Sequence, residues 1–342
     1  MAGKGLNALE LKERSRQIST ALATCLPECF SQAADILVAS LGPGTKDSAP
    51  TQETGSPGLS GWAIMPMTHY VGVHGISEPD VALPALREMT KRFTAEFDIR
   101  CFILEHEAHT LTVLREWITD PDPHVRRLVS EGLRPRLPWA MQLPKYVQDP
   151  SPILPFLDAL KDDPSEYVRR SVANNLNDIA KDHPNLVGDI ASNWLVSASP
   201  EREKLIKHAC RTLLKQGHSH TLKAFGYHHP KLHPVDLNIH TPTVPLGGYL
   251  DFSIELQSNA KTTQTLMIDF IIHHQKANGK TSPKVFKWKT CTLAPNTSLS
   301  ASKKHPLKKI TTRVYYPGCH YLELLVNGSI VAKATFDLKI KN

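Results

Sequence analysis

The spacing of apolar residues predicts helices over the longer, N-terminal part of the chain. Helical periodicity runs through 6–41, 78–102 and 105–118, and it continues after an Asp/Pro-rich turn at 120–123. Pro135 predicts the end of that last helix, because proline interrupts helical hydrogen bonding. One face of this helix carries four apolar residues: Val125, Leu128, Val129 and Leu133.

The helical pattern repeats with a period near 40 residues. Segment 125–129 (VRRLV) matches 168–172 (VRRSV) at an offset of 43 residues, and a weaker copy begins at Leu205. Each of the two stronger copies follows an Asp/Pro turn and an apolar helix. Paired helices at this period are typical of HEAT-like repeats, which stack into a curved solenoid. A Gly/Ser/Thr/Pro-rich stretch, 42–61, predicts a long loop.

From Val235 onward, short runs of alternating apolar and polar residues predict strands, and Asn327-Gly328 predicts a hairpin turn. Several short strands over such a length indicate an immunoglobulin-like sandwich. We therefore predict a multidomain chain. An all-α HEAT-like repeat solenoid occupies 1–232, and an all-β immunoglobulin-like sandwich occupies 233–342. The predicted strands are 249–256, 265–272, 285–288, 321–326 and 330–338.

The charge of the chain is concentrated at its end. The net charge is +7, and residues 234–342 hold 14 Lys and Arg against 6 Asp and Glu. This asymmetry indicates a polyanionic partner, although a basic surface without a partner would look the same. No apolar run approaches the ~20 residues of a membrane span. The six scattered cysteines lack the spacing of a zinc site.

Charged residues on the predicted second helices would line one concave surface. A mostly cationic groove suits a nucleic-acid backbone, whereas its carboxylates would repel phosphates. The carboxylates are therefore either salt-bridge partners or groups that act on something electron-poor. The pattern favours salt bridges from Glu96 to Arg92 and Arg100 along one helix, here called the Arg92–Glu96–Arg100 ladder, and a solvated Asp178–Lys181 pair. For Glu131 it does not decide between a salt-bridge partner and a reacting group. The surface would contain Arg92, Glu96, Arg100, Arg127, Glu131, Arg170, Asn174, Asp178, Lys207, Arg211 and Lys215.

Segment 125–139 (VRRLVSEGLRPRLPW) resembles the hallmark of the AlkC branch of the HEAT-like-repeat alkylpurine DNA glycosylases. Segments 96–100 and 174–178 resemble the same branch, and the helical match spans about 84–194. The basic β-rich tail is similar to the immunoglobulin-like domain of one subgroup. The resemblance implies a monofunctional glycosylase of base excision repair. It would hydrolyse the N-glycosidic bond of 3-methyladenine and 3-methylcytosine in duplex DNA without base flipping.

By matching positions, the resemblance places the catalytic carboxylates at Glu131, Asp178 and Glu96. It implies no metal and no cofactor. The implied partner is double-stranded DNA with alkylated bases, bound by a monomer with no membrane association, in the cytoplasm at the nucleoid. Residues expected to contact the substrate or DNA are Trp139, Arg127, Arg134, Arg136, Arg170, Lys207 and Arg211.

Two other functions fit the same patterns. A non-catalytic HEAT-repeat scaffold could bind DNA or an acidic protein, in which case the arginines would matter and the carboxylates would not. The tail could instead be a separate protein-binding module. Trp139, which follows a proline, is more often a core residue than a ligand platform when only the pattern is considered.

Overall fold

The structure is a computed structural model that describes residues 3–44, 57–311 and 313–340. Most of the loop predicted at 42–61 lies outside these ranges. The chain separates into two compact units. The first comprises Met1–His183 with Ser197–Ala209, and the second comprises Pro184–Val196 with Cys210–Asn342. The domain boundary expected at 232/233 stays a prediction.

The first unit is helical. None of the helices that the structure describes is long and apolar enough to cross a bilayer. The helices are α1 (Leu11–Ala23), α2 (Phe30–Ala39), α3 (Ile64–His74), α4 (Pro79–Thr90), α5 (Ile99–Glu105), α6 (Glu107–Trp117), α7 (Pro123–Gly132), α8 (Pro144–Gln148), α9 (Leu154–Leu160), α10 (Glu166–Ile179) and α12 (Pro200–Ala209).

The predicted repeat is confirmed as a stack of helices in which α7 packs against α10 and α10 packs against α12. The turn before α7 begins the helix as expected. Asp122 caps the helix by accepting a hydrogen bond from the His124 backbone nitrogen, and Pro123 occupies the first helical position. Val125 and Val168, at equivalent positions of the two repeats, are both fully buried. The apolar face of each repeat therefore forms the core.

The single helix expected over 78–102 is wrong. Helix α4 ends at Thr90, and α5 begins only at Ile99. The residues between them form turns, so Glu96 lies in a connecting segment and not on a helix. The apolar periodicity continues across this break because Ala95, in the connecting segment, is fully buried.

The second unit contains three helices and two β-sheets among its described residues. The sheets have the strand orders β1-β3-β6 and β2-β8-β7-β4-β5, and neighbouring strands are antiparallel except for the parallel pair β2–β8. The elements are α11 (Pro184–Leu195), α13 (Arg211–Gln216), α14 (Ser219–Ala224), β1 (Asp236–Ile239), β2 (Thr243–Pro245), β3 (Tyr249–Gln257), β4 (Gln264–Gln275), β5 (Thr281–Leu293), β6 (Ser298–Pro306), β7 (Gly318–Val326) and β8 (Ser329–Lys339).

The five predicted strands correspond to β3, β4, β5, β7 and β8. The Asn327-Gly328 hairpin is confirmed: Val326 pairs with Ser329, and both turn residues have positive φ, 48° and 76°. Strand β6 was missed because most of its residues are small, polar or basic. It pairs with β3, whose Phe252 and Leu250 belong to the apolar core of the sandwich.

Candidate active site

Three carboxylates from separate parts of the first unit share two guanidinium groups. Glu131 lies on α7, Asp178 on α10 and Glu96 on the α4–α5 connection. They are 4%, 3% and 9% exposed. Arg134 donates to Glu131 Oε1 at 2.6 Å and to Asp178 Oδ2 at 2.8 Å. Arg127 lies 2.6 Å from Glu96 Oε2 and 3.5 Å from Glu131 Oε1.

The guanidinium groups remain charged in this buried setting. Burial lowers the pKa of Arg127, but attraction to Glu131 and Glu96 outweighs it and leaves the pKa above its usual value. The pKa of Arg134 is raised in the same way, by Glu131 and Asp178. The site is therefore an ion-pair network in which each carboxylate is held by a fixed cation.

The second oxygen of Glu131 is held from the next repeat. Ser171 on α10 donates from its hydroxyl to Glu131 Oε2 at 2.5 Å. Nearby, Asn175 donates from Nδ2 to the Ser130 carbonyl at 2.8 Å. Both donors are buried on the face of α10 that packs against α7. Ser171 thus holds the Glu131 carboxylate across the helix interface, and Asn175 holds the backbone beside it.

The predicted Arg92–Glu96–Arg100 ladder is wrong. Arg92 pairs with Glu88 at 3.3 Å and donates to the Gly42 carbonyl at 2.7 Å. Glu96 instead accepts from Arg127 and, at 2.8 Å, from the Thr94 hydroxyl. Both contacts use Oε2, so Oε1 has no hydrogen-bond partner among the described residues. The break between α4 and α5 turns Glu96 toward the neighbouring repeat.

Arg100 does not belong to a cationic surface either, because its side chain is completely buried. It donates from Nε to the Met141 carbonyl and from Nη1 to the Gly132 and Arg134 carbonyls, all at 2.8 Å. Burial, followed by repulsion from Arg134, lowers its pKa to about 10. Arg100 thus fixes the segment after α7 that carries Arg134 and Trp139.

Asp178 has the partner expected from the sequence but not the expected exposure. Lys181 donates to its Oδ1 at 2.9 Å, while Arg134 donates to its Oδ2. Because the carboxylate is buried, this is not a solvated surface pair. Asp178 does not line the cleft described next, and its contact with that cleft runs through Arg134.

A cleft of about 360 Å³ adjoins the network. Glu96, Glu131 and Arg134 form its polar wall, and Trp62 and Trp139 belong to its apolar wall. Trp139 is 73% exposed and has a φ of 65°, so the reading of it as a core residue is wrong. Trp62 is 59% exposed, with its ring 4.8 Å from that of Phe93. Nothing in the apolar stretch around Trp62 distinguished it from core.

The other cations expected to contact DNA lie outside this network, and their contact with phosphates stays a prediction. Arg136 forms a two-bond pair with Asp182, at 2.8 and 2.9 Å. Arg170 is exposed and lies 3.4 Å from Glu166. Lys207 on α12 is exposed, and Arg211 is an exposed residue of α13. In the described parts of the chain, no group of three or more His, Cys, Asp or Glu side chains could hold a metal ion.

Comparisons with known proteins cover the whole chain. Residues 234–340 match a family model described as the C-terminal Ig-like domain of the uncharacterised protein YhaZ. The chain is 37% identical over 335 residues to the uncharacterized protein YhaZ of Bacillus subtilis (strain 168), which covers 97% of this chain and 88% of that protein.

The structure is also similar to that of the Pseudomonas fluorescens alkylpurine DNA glycosylase AlkC bound to DNA containing an abasic site analog. The TM-score is 0.82 and the identity 34%, covering 99% of this chain and 90% of that one. The fold and site define a helical-repeat protein with a buried acidic network and an appended β-sandwich. The chain belongs to the AlkC-type branch of the HEAT-like-repeat alkylpurine DNA glycosylase family, in the subgroup with a C-terminal Ig-like domain.

Proposed function

We propose that this protein is a DNA glycosylase that hydrolyses the N-glycosidic bond of cationic alkylated bases in duplex DNA. The lesions are 3-methyladenine and 3-methylcytosine, and the pathway is base excision repair. The observation that carries the proposal is the placement of Glu131. It lies at the wall of the cleft, oriented by Arg134 and Ser171 and facing the same cleft as the exposed Trp139.

The chemistry suits carboxylates held in this way. Alkylation at N3 gives the base a positive charge, so it departs as a neutral molecule when the C1′–N bond breaks and its electron pair goes to the base. The sugar becomes oxocarbenium-like, and a nearby carboxylate stabilises that charge without having to reorganise. Water then forms the C1′–O bond and releases a proton to Glu96 or to solvent. The products are the free base and an abasic site.

Glu131 and Glu96 have different roles in this proposal. Glu131 is oriented through both oxygens, which suits a fixed electrostatic stabiliser of the sugar cation. Glu96 lines the same cleft and keeps Oε1 without a protein partner among the described residues, which suits an acceptor for the attacking water. Asp178 acts through Arg134 as a positioning residue.

The aromatic wall favours the same substrate. A tryptophan face attracts a cation through the ring quadrupole, by about 0.5–2 kcal/mol. Trp139 is exposed beside the carboxylates, so a deoxyribose that develops positive charge could pack on it. Two donors that line the cleft, Arg134 and the Thr94 hydroxyl, already donate to carboxylates, which leaves few groups to read the edge of an extruded base. We therefore propose excision without base flipping.

The proposed reaction needs no electron transfer and no activated leaving group beyond the alkylated base itself. We accordingly propose that the protein works without a metal or cofactor, as a monomer on double-stranded DNA in the cytoplasm. The excess of cations in 234–342 would add sequence-independent attraction to the DNA backbone.

A base-release assay on methylated duplex DNA tests the proposal. The Glu131→Gln variant keeps the size of the side chain but removes its charge, and we expect release to fall by about 10²–10³-fold. Glu116→Gln, an exposed position on α6, is the matched control and should retain full activity. No release by the wild-type protein, or equal release by the Glu131 variant, would refute the proposal.

Two observations favour a non-catalytic scaffold: both oxygens of Asp178 are paired, and Glu131 is almost completely buried. A purely structural ion-pair network has the same appearance. The scaffold would bind DNA or an acidic protein through exposed cations such as Arg170 and Lys207. In that case charge removal at these two positions abolishes function, while Glu131→Gln leaves DNA binding and cellular protection from alkylation intact.

A further inference from the structure

A second pocket of about 200 Å³ adjoins the cleft in the first unit. The two share Met65 and Phe97 as lining residues, and the second pocket is bounded by Ala140 and Met141, which follow Trp139 directly. Its polar lining comes from two helices near the start of the chain. Lys12, Ser15 and Arg16 lie on α1, and His69 lies on α3.

Arg16 differs from the other arginines of the first unit. Each of the others within the described residues forms an ion pair, donates to a carbonyl or stacks on a ring, as Arg14 does with Leu9 and Arg115 with Phe156. Arg16 is exposed and has none of these contacts among the described residues. Its side chain lines the pocket, and no acid that the structure describes pairs with it.

Ser15 adds a hydroxyl group to the pocket. The residue is 6% exposed overall and lines the pocket, and its hydroxyl has no hydrogen-bond partner among the described residues. Its oxygen is not one of the fully buried unpaired atoms, so it can be reached from the pocket. The hydroxyl is therefore available to donate to a bound group.

The remaining polar groups also suit an anion. Lys12 has no carboxylate within ion-pair distance in the described ranges, and its ammonium lies 5.5 Å from the centre of the Phe97 ring. The one carboxylate that lines the pocket, Asp98, is directed to His69, with 3.2 Å between Oδ1 and Nδ1. That contact fixes the imidazole and leaves its Nε2 without a hydrogen-bond partner among the residues that the structure describes. Lys12 and Arg16 thus outnumber the single, already engaged acid.

We propose that Lys12, Ser15, Arg16 and His69 form a phosphate site, here called the anion pocket, which binds a backbone phosphate of the DNA strand whose sugar lies in the cleft. The inference rests on the proposed function for its choice of ligand. Two neighbouring clefts with a shared apolar wall, one acidic and one cationic, match a deoxyribose and the phosphate attached to it. Binding there would fix the register of the strand relative to Glu131.

Fluorescence anisotropy with the full chain and a labelled duplex containing an unreactive abasic-site analog tests the anion pocket. We expect Arg16→Gln to weaken binding about tenfold and to reduce the salt slope of log K by about 0.9. Arg14→Gln is the matched control, because it removes the same charge from the same helix outside the pocket. Ser15→Ala should weaken binding while leaving the salt slope unchanged.

The outcomes distinguish a failure of the anion pocket from a failure of the proposed glycosylase activity. Equal effects of Arg16→Gln and Arg14→Gln would show long-range attraction alone and overturn the anion pocket. A second outcome is that all variants bind the duplex equally well while inorganic phosphate still binds in an Arg16-dependent manner. This result would show a site for free anions and overturn the assignment to DNA. Arg16-dependent binding without base release from methylated DNA would refute only the proposed glycosylase activity. Thermal melting confirms that each variant is folded.

Discussion

The Ser171 hydroxyl on α10 donates to the Glu131 carboxylate on α7 at 2.5 Å, joining two successive repeats. In the alignment of the repeats, position 171 corresponds to Leu128, which is a fully buried core residue. The second repeat therefore replaces an apolar core position by a hydroxyl whose acceptor is the proposed catalytic group. This relationship gives the departure from the apolar pattern a physical reason.

We expect Ser171→Ala to lower the single-turnover rate of base release by about tenfold or more, because a hydrogen bond to a charged group is worth about 1.5–3 kcal/mol. The affinity for the unreactive abasic-analog duplex should not change. Ser171→Thr, which keeps the hydroxyl, should retain most of the rate. Ser130→Ala is the control, since the buried Ser130 hydroxyl has no partner in the structure. Equal losses in both alanine variants would contradict a positioning role.

Asp178→Asn should reduce base release by about a hundredfold, the scale expected when one preorganised charge is removed from a site. The substitution leaves Arg134 with a single carboxylate partner, Glu131. Asp182→Asn is the comparison. Asp182 lies four residues after Asp178 and pairs with Arg136, outside the network. Release would be measured from methylated duplex under single-turnover conditions. Full activity of the Asp178 variant would remove this residue from the mechanism.

Replacing Arg100 by methionine should destabilise the first unit by about 3 kcal/mol, since several buried carbonyls lose their donor at once. The affected carbonyls belong to the segment that carries Arg134 and Trp139. Urea unfolding measures the effect, with the exposed Arg115→Met as control. A variant as stable as the wild type would mean that water replaces the guanidinium group.

The second unit should lose stability in acid through His274. Its side chain is buried, and neither ring nitrogen has a hydrogen-bond partner within the described part of the chain. Burial, together with the nearby Arg313, lowers its pKa to about 3. The folded state therefore keeps the ring neutral, whereas the unfolded chain binds a proton below about pH 6.5. The stability is fully present above that pH and falls by at most about 1.4 kcal/mol per pH unit as the pH drops toward 3.

Hydrogen exchange of the β4 and β7 amides in the full chain, followed from pH 7 to pH 4.5 and corrected for intrinsic rates, measures this loss. His274→Phe preserves the packing against Tyr315 and His320, whose rings lie 5.4 and 5.7 Å away. We expect a shallower pH dependence in this variant. His305, whose pKa burial lowers to about 4, would account for part of the remaining slope. An unchanged slope in the variant would exclude His274 as its source.

Periodic features of the chain could be predicted from the sequence. The repeat follows from residues that recur at a fixed offset, such as Val125 and Val168, because burial imposes the same spacing on each copy. The hairpin follows from Asn327-Gly328, since few other pairs tolerate two positive φ angles. The convergence of Glu131 and Asp178 also follows once the repeats are stacked in register.

Contacts between distant segments could not be predicted in this way. Spacing suggested that Glu96 pairs along its own helix, but the helix breaks and Arg127 of another repeat becomes its partner. Arg100 has the spacing of a surface cation, yet its side chain is buried. It donates to backbone carbonyls of residues far along the chain, which come close only after folding. Trp62 gave no local signal, because its exposure depends on which segments pack around it.

Trp139 combines a left-handed backbone conformation with 73% exposure to solvent. That conformation costs a non-glycine residue about 1 kcal/mol or more, and the exposed ring recovers little of it through burial. Glycine or asparagine would suit the backbone better at this position. A screen that rewards heat resistance alone would therefore replace this tryptophan, because its ring contributes little to the stability of the folded chain.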